Sequence, residues 1–370
     1  MITGIFVAIA GGLTIATILA TVRLHRTIRT LHHRARISVP SMLEELPSVS
    51  VCIPVRNEEH AMTRCLEDVL ASRYPKMEVL VCDDSSKDET PSLIKAFARD
   101  GVRFIEGPKL EDGWLGKNAA LNTLLSSATG SYVIFLDVDT RIKPDTIGQL
   151  VAYAQQTKAT MVSALPVRVH AWRVSTLFAP LRYFWKLLQH TPVRPIAASS
   201  MWLIDRKAFI ADHDDLSALK SATEPELALA ALFAKKDAYR FLISYELLGV
   251  AYEKKLSSQI ETGVRVRFPA YGFSVLRSLA MSVLLLVYLA IPLGLLLGGG
   301  VWYAWLAAAA CIVSSYVLYW RYLSVVWKKG SIIAALLYPL VVLLDSAIIL
   351  QSAWSYTRKQ VTWKGRNISR

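Results

Sequence analysis

The sequence predicts an α/β domain with a Rossmann-like, mainly parallel sheet, set between an N-terminal transmembrane helix and C-terminal transmembrane helices. Three observations carry that expectation. Short apolar runs alternate with segments of helical period through the middle of the chain. Acidic residues close several of those runs. Long uncharged stretches occupy both ends. The chain has 370 residues, 53% of them hydrophobic, and 42 Lys and Arg against 29 Asp and Glu, a net charge of +13. A mean hydropathy of +0.35 excludes a disordered chain and argues against an ordinary soluble enzyme.

Residues 1–22 read as an uncleaved transmembrane anchor, because no basic stretch precedes the apolar run and no small-residue cleavage site follows it. Residues 23–46 form a basic juxtamembrane linker. Arg23, Arg26, Arg29, Arg34 and Arg36 follow the anchor with no acid among them, which places this side in the cytoplasm. Much of the positive charge marks membrane borders, so anionic lipid explains it better than nucleic acid does.

Residues 47–274 form the cytoplasmic globular domain. Residues 48–54 read as a strand ended by Pro54, 59–71 as a helix and 77–82 as a strand running into Asp83-Asp84. Residues 88–98 read as a helix capped by Asp88, 102–105 as a strand, 116–127 as a helix and 132–136 as a strand. Parallel sheets bind ligands beyond the carboxyl ends of their strands. Arg56-Asn57-Glu58, Asp83-Asp84 and Asp137-Val138-Asp139 all sit there. No phosphate-binding glycine loop follows a strand, which argues against dinucleotide or P-loop sites. Near 175–190, Leu177, Phe178, Leu181, Phe184, Trp185 and Leu188 share one helical face, that of a core helix or of an interfacial helix on the headgroups.

Residues 275–352 carry three apolar runs, 279–297, 301–320 and 332–350, as transmembrane or re-entrant helices, and 353–370 form a basic tail. Three crossings put that tail outside, whereas Arg358, Lys359, Lys364 and Arg366 favour the cytoplasm. Pro339 and Asp345 interrupt the last run, so a broken or re-entrant element and a cytoplasmic tail fit best. Cys52, Cys65, Cys82 and Cys311 show no metal-binding spacing and are expected as buried small hydrophobes.

Asp137 and Asp139 flank one residue at a strand end, so both carboxylates can face one hard cation, Mg²⁺ or Mn²⁺, which in turn binds diphosphate. Solvated turn acids give the same pattern. Asp84 suits a nucleoside or a helix cap. Lys117 opens a helix where its ammonium and the helix N-terminus can meet phosphate, or is a surface lysine.

The segments Pro54-Val-Arg-Asn-Glu58, Val81-Cys-Asp-Asp-Ser85 with Asp88-Glu89-Thr90, Gly113-Trp-Leu-Gly-Lys117 and Phe135-Leu-Asp-Val-Asp139 follow one another at spacings that resemble the family 2 glycosyltransferases. The resemblance implies a GT-A catalytic domain. Gly113–Lys117, the membrane runs and Trp363-Lys364-Gly365-Arg366 are similar to the membrane-bound lipid branch, which includes ceramide glucosyltransferase-like and carotenoid-acid glycosyltransferases.

The resemblance implies Pro54, Arg56, Glu58, Asp84 and Lys117 as binding residues for a UDP-sugar. It implies Asp137 and Asp139 as the metal and diphosphate site. A general base is expected near Thr223-Glu224-Pro225-Glu226, where Pro225 departs from the family's Glu-Asp pair. Glu226 is the first candidate and Glu224 the second; Thr223 and Glu226 also read as a capping box. Arg265 and Arg267 stand where the family grips diphosphate, in a motif that lacks its Gln and Trp, and serve equally as membrane-flanking charges.

The expected function is inverting transfer of one sugar from a UDP-sugar to a lipid acceptor at the cytoplasmic membrane face. A polyprenyl-phosphate acceptor, or a scaffold that has lost the base, are the alternatives. Donor sugar, acceptor and oligomeric state are not legible, and no nucleic-acid partner is expected.

Overall fold

The structure is a computed structural model and describes residues 2–35, 46–168, 181–244, 248–253, 255–298, 300–327 and 330–368. The chain divides into two compact units. One comprises Leu31–Val169 and His190–Glu253; the other comprises Met1–Thr30, His170–Gln189 and Lys254–Arg370.

The first unit is built on a seven-stranded sheet. Its strands in chain order are β1 (Val49–Val55), β2 (Met77–Asp83), β3 (Val102–Glu106), β4 (Tyr132–Leu136), β6 (Met161–Leu165), β8 (Met201–Asp205) and β9 (Tyr239–Ile243). Their spatial order is β3-β2-β1-β4-β8-β6-β9. β1 pairs in parallel with β2 and β4, and β2 with β3. β8 alone runs against its neighbours β4 and β6. The helices α2 (Glu59–Leu70), α3 (Thr90–Ala96), α4 (Gly116–Ser127) and α5 (Thr146–Thr157) connect strands as crossovers do in α/β folds. The core joins the apolar sheet residues Val51, Ile53, Val81 and Ile134 to Met62, Leu66, Val69, Ile147 and Leu150 from the helices. A second sheet, β5-β10-β7, is made of β5 (Thr140–Arg141), β7 (Val167–Arg168) and β10 (Ala251–Tyr252). All four cysteines are buried and unbridged. Burial pushes the Cys65 and Cys82 thiols up to about 12, which leaves them unreactive at neutral pH.

Local differences from the sequence reading have simple causes. α3 begins at Thr90, not at Asp88: Asp88 lies before the helix and accepts from the N–H of Glu59 at 3.2 Å and of Thr90 at 3.1 Å, joining the starts of α2 and α3. The helix α8 (Pro225–Lys235) begins at Pro225 with Glu224 as its N-cap. Pro225 fixes the first turn there, so the Thr223 and Glu226 capping box does not form. α6 (Leu181–Gln189) covers part of the expected interfacial helix, and residues 175–180 lie outside the described residues. The short helix α7 (Arg206–Asp212) is capped by Asp205, which accepts from the N–H of Ala208.

The second unit is helical. α1 (Ile2–Ala35) runs without a break through residues 23–35, the first half of the expected linker. No proline interrupts it there, and Leu24, Ile28 and Leu31 make a buried stripe at helical spacing. Residues 36–45 lie outside the described residues. The other helices are α9 (Leu256–Ala270), α10 (Val275–Gly298), α11 (Trp302–Val326), α12 (Ser331–Ala335) and α13 (Tyr338–Thr357). Helices α1, α10, α11 and α13 are long and apolar enough to cross a membrane. α9 falls in this unit and not with the sheet, although the sequence grouped it with residues 47–274.

The last apolar run is broken between α12 and α13, and Pro339 lies in the first turn of α13. The ring of Tyr338, which opens α13, lies 6.3 Å from that of Tyr288. Tyr288 sits about 20 Å along α10 at 1.5 Å per residue. From there α13 runs antiparallel to α10: Val342 and Ile349 cluster with Leu285, and Ser346 O accepts from Ser282 Oγ at 3.4 Å. A helix of 20 residues is about 30 Å long, so α13 returns to the level at which α10 begins. There it lies along α9. Tyr356 OH donates to Arg265 O at 2.8 Å, and Phe268 N to Ser352 Oγ at 2.9 Å. The hairpin β11 (Thr362–Trp363) and β12 (Arg366–Asn367) follows, turned by Lys364 and Gly365 with φ of 48° and 77°. It rests on α9 through Lys364 N to Glu261 Oε1 at 3.1 Å and through Arg265 over the Trp363 ring.

Candidate active site at the carboxyl ends of the strands

The loops after β1 and β2 are laced together. The Arg56 guanidinium, buried, donates to the carbonyls of Asp84 and Ser85. Asn57 N donates to Ser86 Oγ, Lys87 N to Asn57 Oδ1 and Glu58 N to Thr90 Oγ1, each at 2.8 Å. Asn57 and Ser85 adopt left-handed φ of 50° and 55°, which turns each chain sharply at its strand end. Arg56, Glu58 and Asp84 therefore share one rim, and Pro54 is a ladder position of β1 opposite Cys82.

Asp83 and Asp84 are both buried. Asp83 Oδ2 accepts from Ser86 N at 3.1 Å, while its Oδ1 is buried with no hydrogen-bond partner. A buried carboxylate oxygen in that state is costly and suits a ligand donor such as a nucleoside N–H or O–H. The sequence marks the Asp83-Asp84 pair and singles out Asp84; the structure adds Asp83 as a candidate beside it. Gly107 closes the same rim: a Cβ there would stand 2.6 Å from Asp83 O, so only glycine lets the chain after β3 approach.

Lys117, in the first turn of α4, places its ammonium 2.5 Å from Asp137 Oδ1, with the two side chains 17% and 22% exposed. Asp137 N is held by Ser200 O and Glu253 N by Asp139 O, both at 2.9 Å, so the Asp137–Asp139 turn is fixed from two sides. Asn118, the next residue of α4, donates to the carbonyls of Leu219, Lys220 and Ala222 at 2.7, 3.2 and 2.9 Å. Leu115 N also donates to Lys220 O. These bonds tie the Gly113–Lys117 loop to the segment that leads into Glu224 and α8. Glu226 is 2% exposed, whereas Glu224 at the N-cap is half-buried. Arg265 and Arg267 belong to the other unit, where Arg267 pairs with Asp345 and Arg265 stacks on Trp363.

The donor set at β4 fits a divalent cation shared with a substrate. Asp137 already draws the Lys117 cation, and Asp139 adds a second hard carboxylate. Mg²⁺ and Mn²⁺ are commonly held by one or two carboxylates with substrate phosphates and water completing the shell. No cluster of three His, Cys, Asp or Glu occurs among the described residues.

Residues 50–211 match the family model described as Glycosyl transferase family 2. The chain is 39% identical over 102 residues to the glycosyltransferase AglE of Haloferax volcanii, 26% of this chain and 32% of that one. It is 34% identical over 118 residues to an undecaprenyl-phosphate 4-deoxy-4-formamido-L-arabinose transferase of Pectobacterium atrosepticum, 31% of this chain and 36% of that one. The chain thus spans about a third of the length of these curated relatives. In fold it resembles a mannosyltransferase of Pyrobaculum calidifontis solved with GDP-Man and Mn²⁺, at a TM-score of 0.57 and 20% identity over 95% of this chain and 98% of that one. Residues 50–211 thus match glycosyl transferase family 2, the chain resembles a glycosyltransferase of GT-A type in fold, and its described residues include four helices long and apolar enough to cross a membrane.

Proposed function

We propose that this protein transfers one sugar, with inversion, from a nucleoside diphosphate sugar of the UDP class to a lipid acceptor at the cytoplasmic face of a membrane. The observation that carries the reading is the Lys117–Asp137 pair beside Asp139 at the carboxyl end of β4. Arg56, Glu58, Asp83 and Asp84 form the rim for the nucleoside. Lys117 releases Asp137 and turns to the diphosphate, a short movement for a flexible side chain. Asp137 and Asp139 would hold the divalent cation, which when bound supplies charge compensation for the departing diphosphate. A glutamate carboxylate takes the acceptor hydroxyl proton, the acceptor oxygen bonds to the anomeric carbon, and the bond to diphosphate breaks. Burial favours Glu224 over Glu226 as the carboxylate an acceptor reaches. The diphosphate grip of Arg265 and Arg267 rests on the resemblance alone; their partners support a part in holding α9 to α13 and the tail.

A polyprenyl-phosphate acceptor is the second reading, favoured by Pro225 in the family's acid position, because a phosphate oxygen is already anionic. Paired Glu224→Gln and Glu226→Gln variants separate the two: retained transfer means a phosphate acceptor, lost transfer a hydroxyl. The test of the main reading is release of nucleoside diphosphate by the purified protein with Mn²⁺, a UDP-sugar panel and total lipid. If no donor is hydrolysed or bound, a scaffold role takes its place.

The packing of the helical unit supports this membrane placement. The tail hairpin lies on α9, and α13 begins at the mid-depth of α10 and returns to its start. This supports a re-entrant α12–α13 and a cytoplasmic tail, a reading under which the apolar runs and the basic tail agree. A single cysteine placed at Lys359, in a background without native cysteines, should react with impermeant maleimide only after cells are opened. Labelling of intact cells would place the tail outside.

A further inference from the structure

The Asp137–Asp139 turn carries two carboxylates one residue apart, so the course of its backbone sets how they stand to each other. All three carbonyls of residues 138–140 that could fix it are engaged. Asp139 O accepts from Glu253 N at 2.9 Å. Val138 O and Thr140 O both accept from Arg141 Nη1, at 3.3 and 3.2 Å. Arg141 is only 8% exposed. Its other edge faces two carboxylates: Nε lies 3.9 Å from Asp68 Oδ2 on α2 and 3.9 Å from Glu253 Oε2. Those distances are charge contacts, longer than hydrogen bonds. Glu253 is braced in turn by Arg64, 3.7 Å away, and β5 pairs with β10 through Arg141 and Ala251.

We propose that Arg141 is a positioning residue for the Asp137–Asp139 pair. It grips the backbone on both sides of Asp139 with one edge of its guanidinium and anchors the other edge to Asp68 and Glu253. A planar, always charged group with two usable edges suits this task, and a lysine ammonium at the end of a flexible stem cannot serve both edges. The inference rests on the reading of Asp137 and Asp139 as the cation and diphosphate site. It adds that the affinity of that site for the cation is set from behind, by a residue that touches neither cation nor substrate.

The test uses the full-length protein in detergent, with Arg141→Lys and Arg141→Met variants. Mn²⁺ binding in the presence of UDP is followed by electron paramagnetic resonance, UDP binding without metal by calorimetry, and folding by thermal melting. Arg141→Lys should melt with the wild type and bind UDP alone as the wild type does, yet bind Mn²⁺ about tenfold more weakly, the scale seen when residues behind metal ligands are changed. Arg141→Met should lose more. If Arg141→Met fails to fold, Arg141→Lys alone decides. Unchanged Mn²⁺ affinity in Arg141→Lys, or a parallel loss of metal-free UDP binding, overturns the inference. Failure of the wild type itself to bind Mn²⁺ with UDP overturns the underlying reading instead.

Discussion

Two cation–carboxylate pairs, one in each unit, use the same charges in different ways. Lys117 and Asp137 meet at the end of a strand, each about a fifth exposed, on a flexible lysine stem and beside a second carboxylate. Arg267 and Asp345 meet between α9 and α13, where Asp345 is 3% exposed and also accepts from Trp185 Nε1 of α6 at 3.1 Å. The first pair can open without exposing a buried charge to apolar surroundings, so it can give way to a ligand. The second cannot open cheaply, because either ion alone would be left desolvated. Partial exposure beside a second carboxylate lets an ion pair open to a ligand; full burial with a third partner makes it a strut.

The comparison breaks most sharply at Asp137 and Asp139. Replacing either by alanine should cut transfer by about a hundredfold or more while the melting temperature holds, as expected when charge stabilisation at a leaving group is removed. A stability loss matching that at Asp345 would erase the distinction. At the other pair, Asp345→Asn should destabilise by about 3–5 kcal/mol, seen as a lower melting temperature in detergent, because Arg267 keeps its charge without its partner. Replacing both ions, Arg267→Met with Asp345→Leu, should recover most of that loss. Asp345→Asn with wild-type melting and lost transfer would mean that this pair, too, serves the chemistry.

Much of this was legible in the sequence, and the reasons differ by element. The strand-end acids and the Asp137–Asp139 spacing were visible because chemistry demands particular residue types at short range. Helices such as α2 and α4 were visible through their apolar period. Arg141 was not, and Asp83 was legible only as half of a strand-end pair. Arg141 reads as an ordinary basic residue until β5 and Glu253 bring its partners from distant parts of the chain. Asp83 stands out only once its Oδ1 is found buried without a partner. The return of α13 was half legible: Pro339 and Asp345 marked the interruption, but only the contacts with Tyr288 and Arg267 show where the helix goes.

The smallest effect concerns the end of the sheet opposite to Lys117 and Asp137. Glu78 is partly buried, which pushes its pKa up. Hydrogen bonds from Ser50 Oγ and from the N–H and hydroxyl of Thr129 outweigh this and hold it below the usual carboxylate value. A carboxylate lowered in the folded state contributes stability above its unfolded pKa, about 4.3. That contribution is lost as pH falls through the folded value. Glu78→Gln should cost about 1–2 kcal/mol at neutral pH and flatten the acid limb of the stability profile, with transfer unchanged.

The central claim is that the strand ends of the family 2 domain hold a nucleoside diphosphate jointly with a divalent cation. Calorimetry of UDP binding to the purified full-length protein, with and without Mn²⁺, tests it most directly. The account predicts binding that Mn²⁺ strengthens and that Asp139→Ala makes indifferent to the metal. UDP binding that is absent, or that ignores both Mn²⁺ and Asp139, would contradict it.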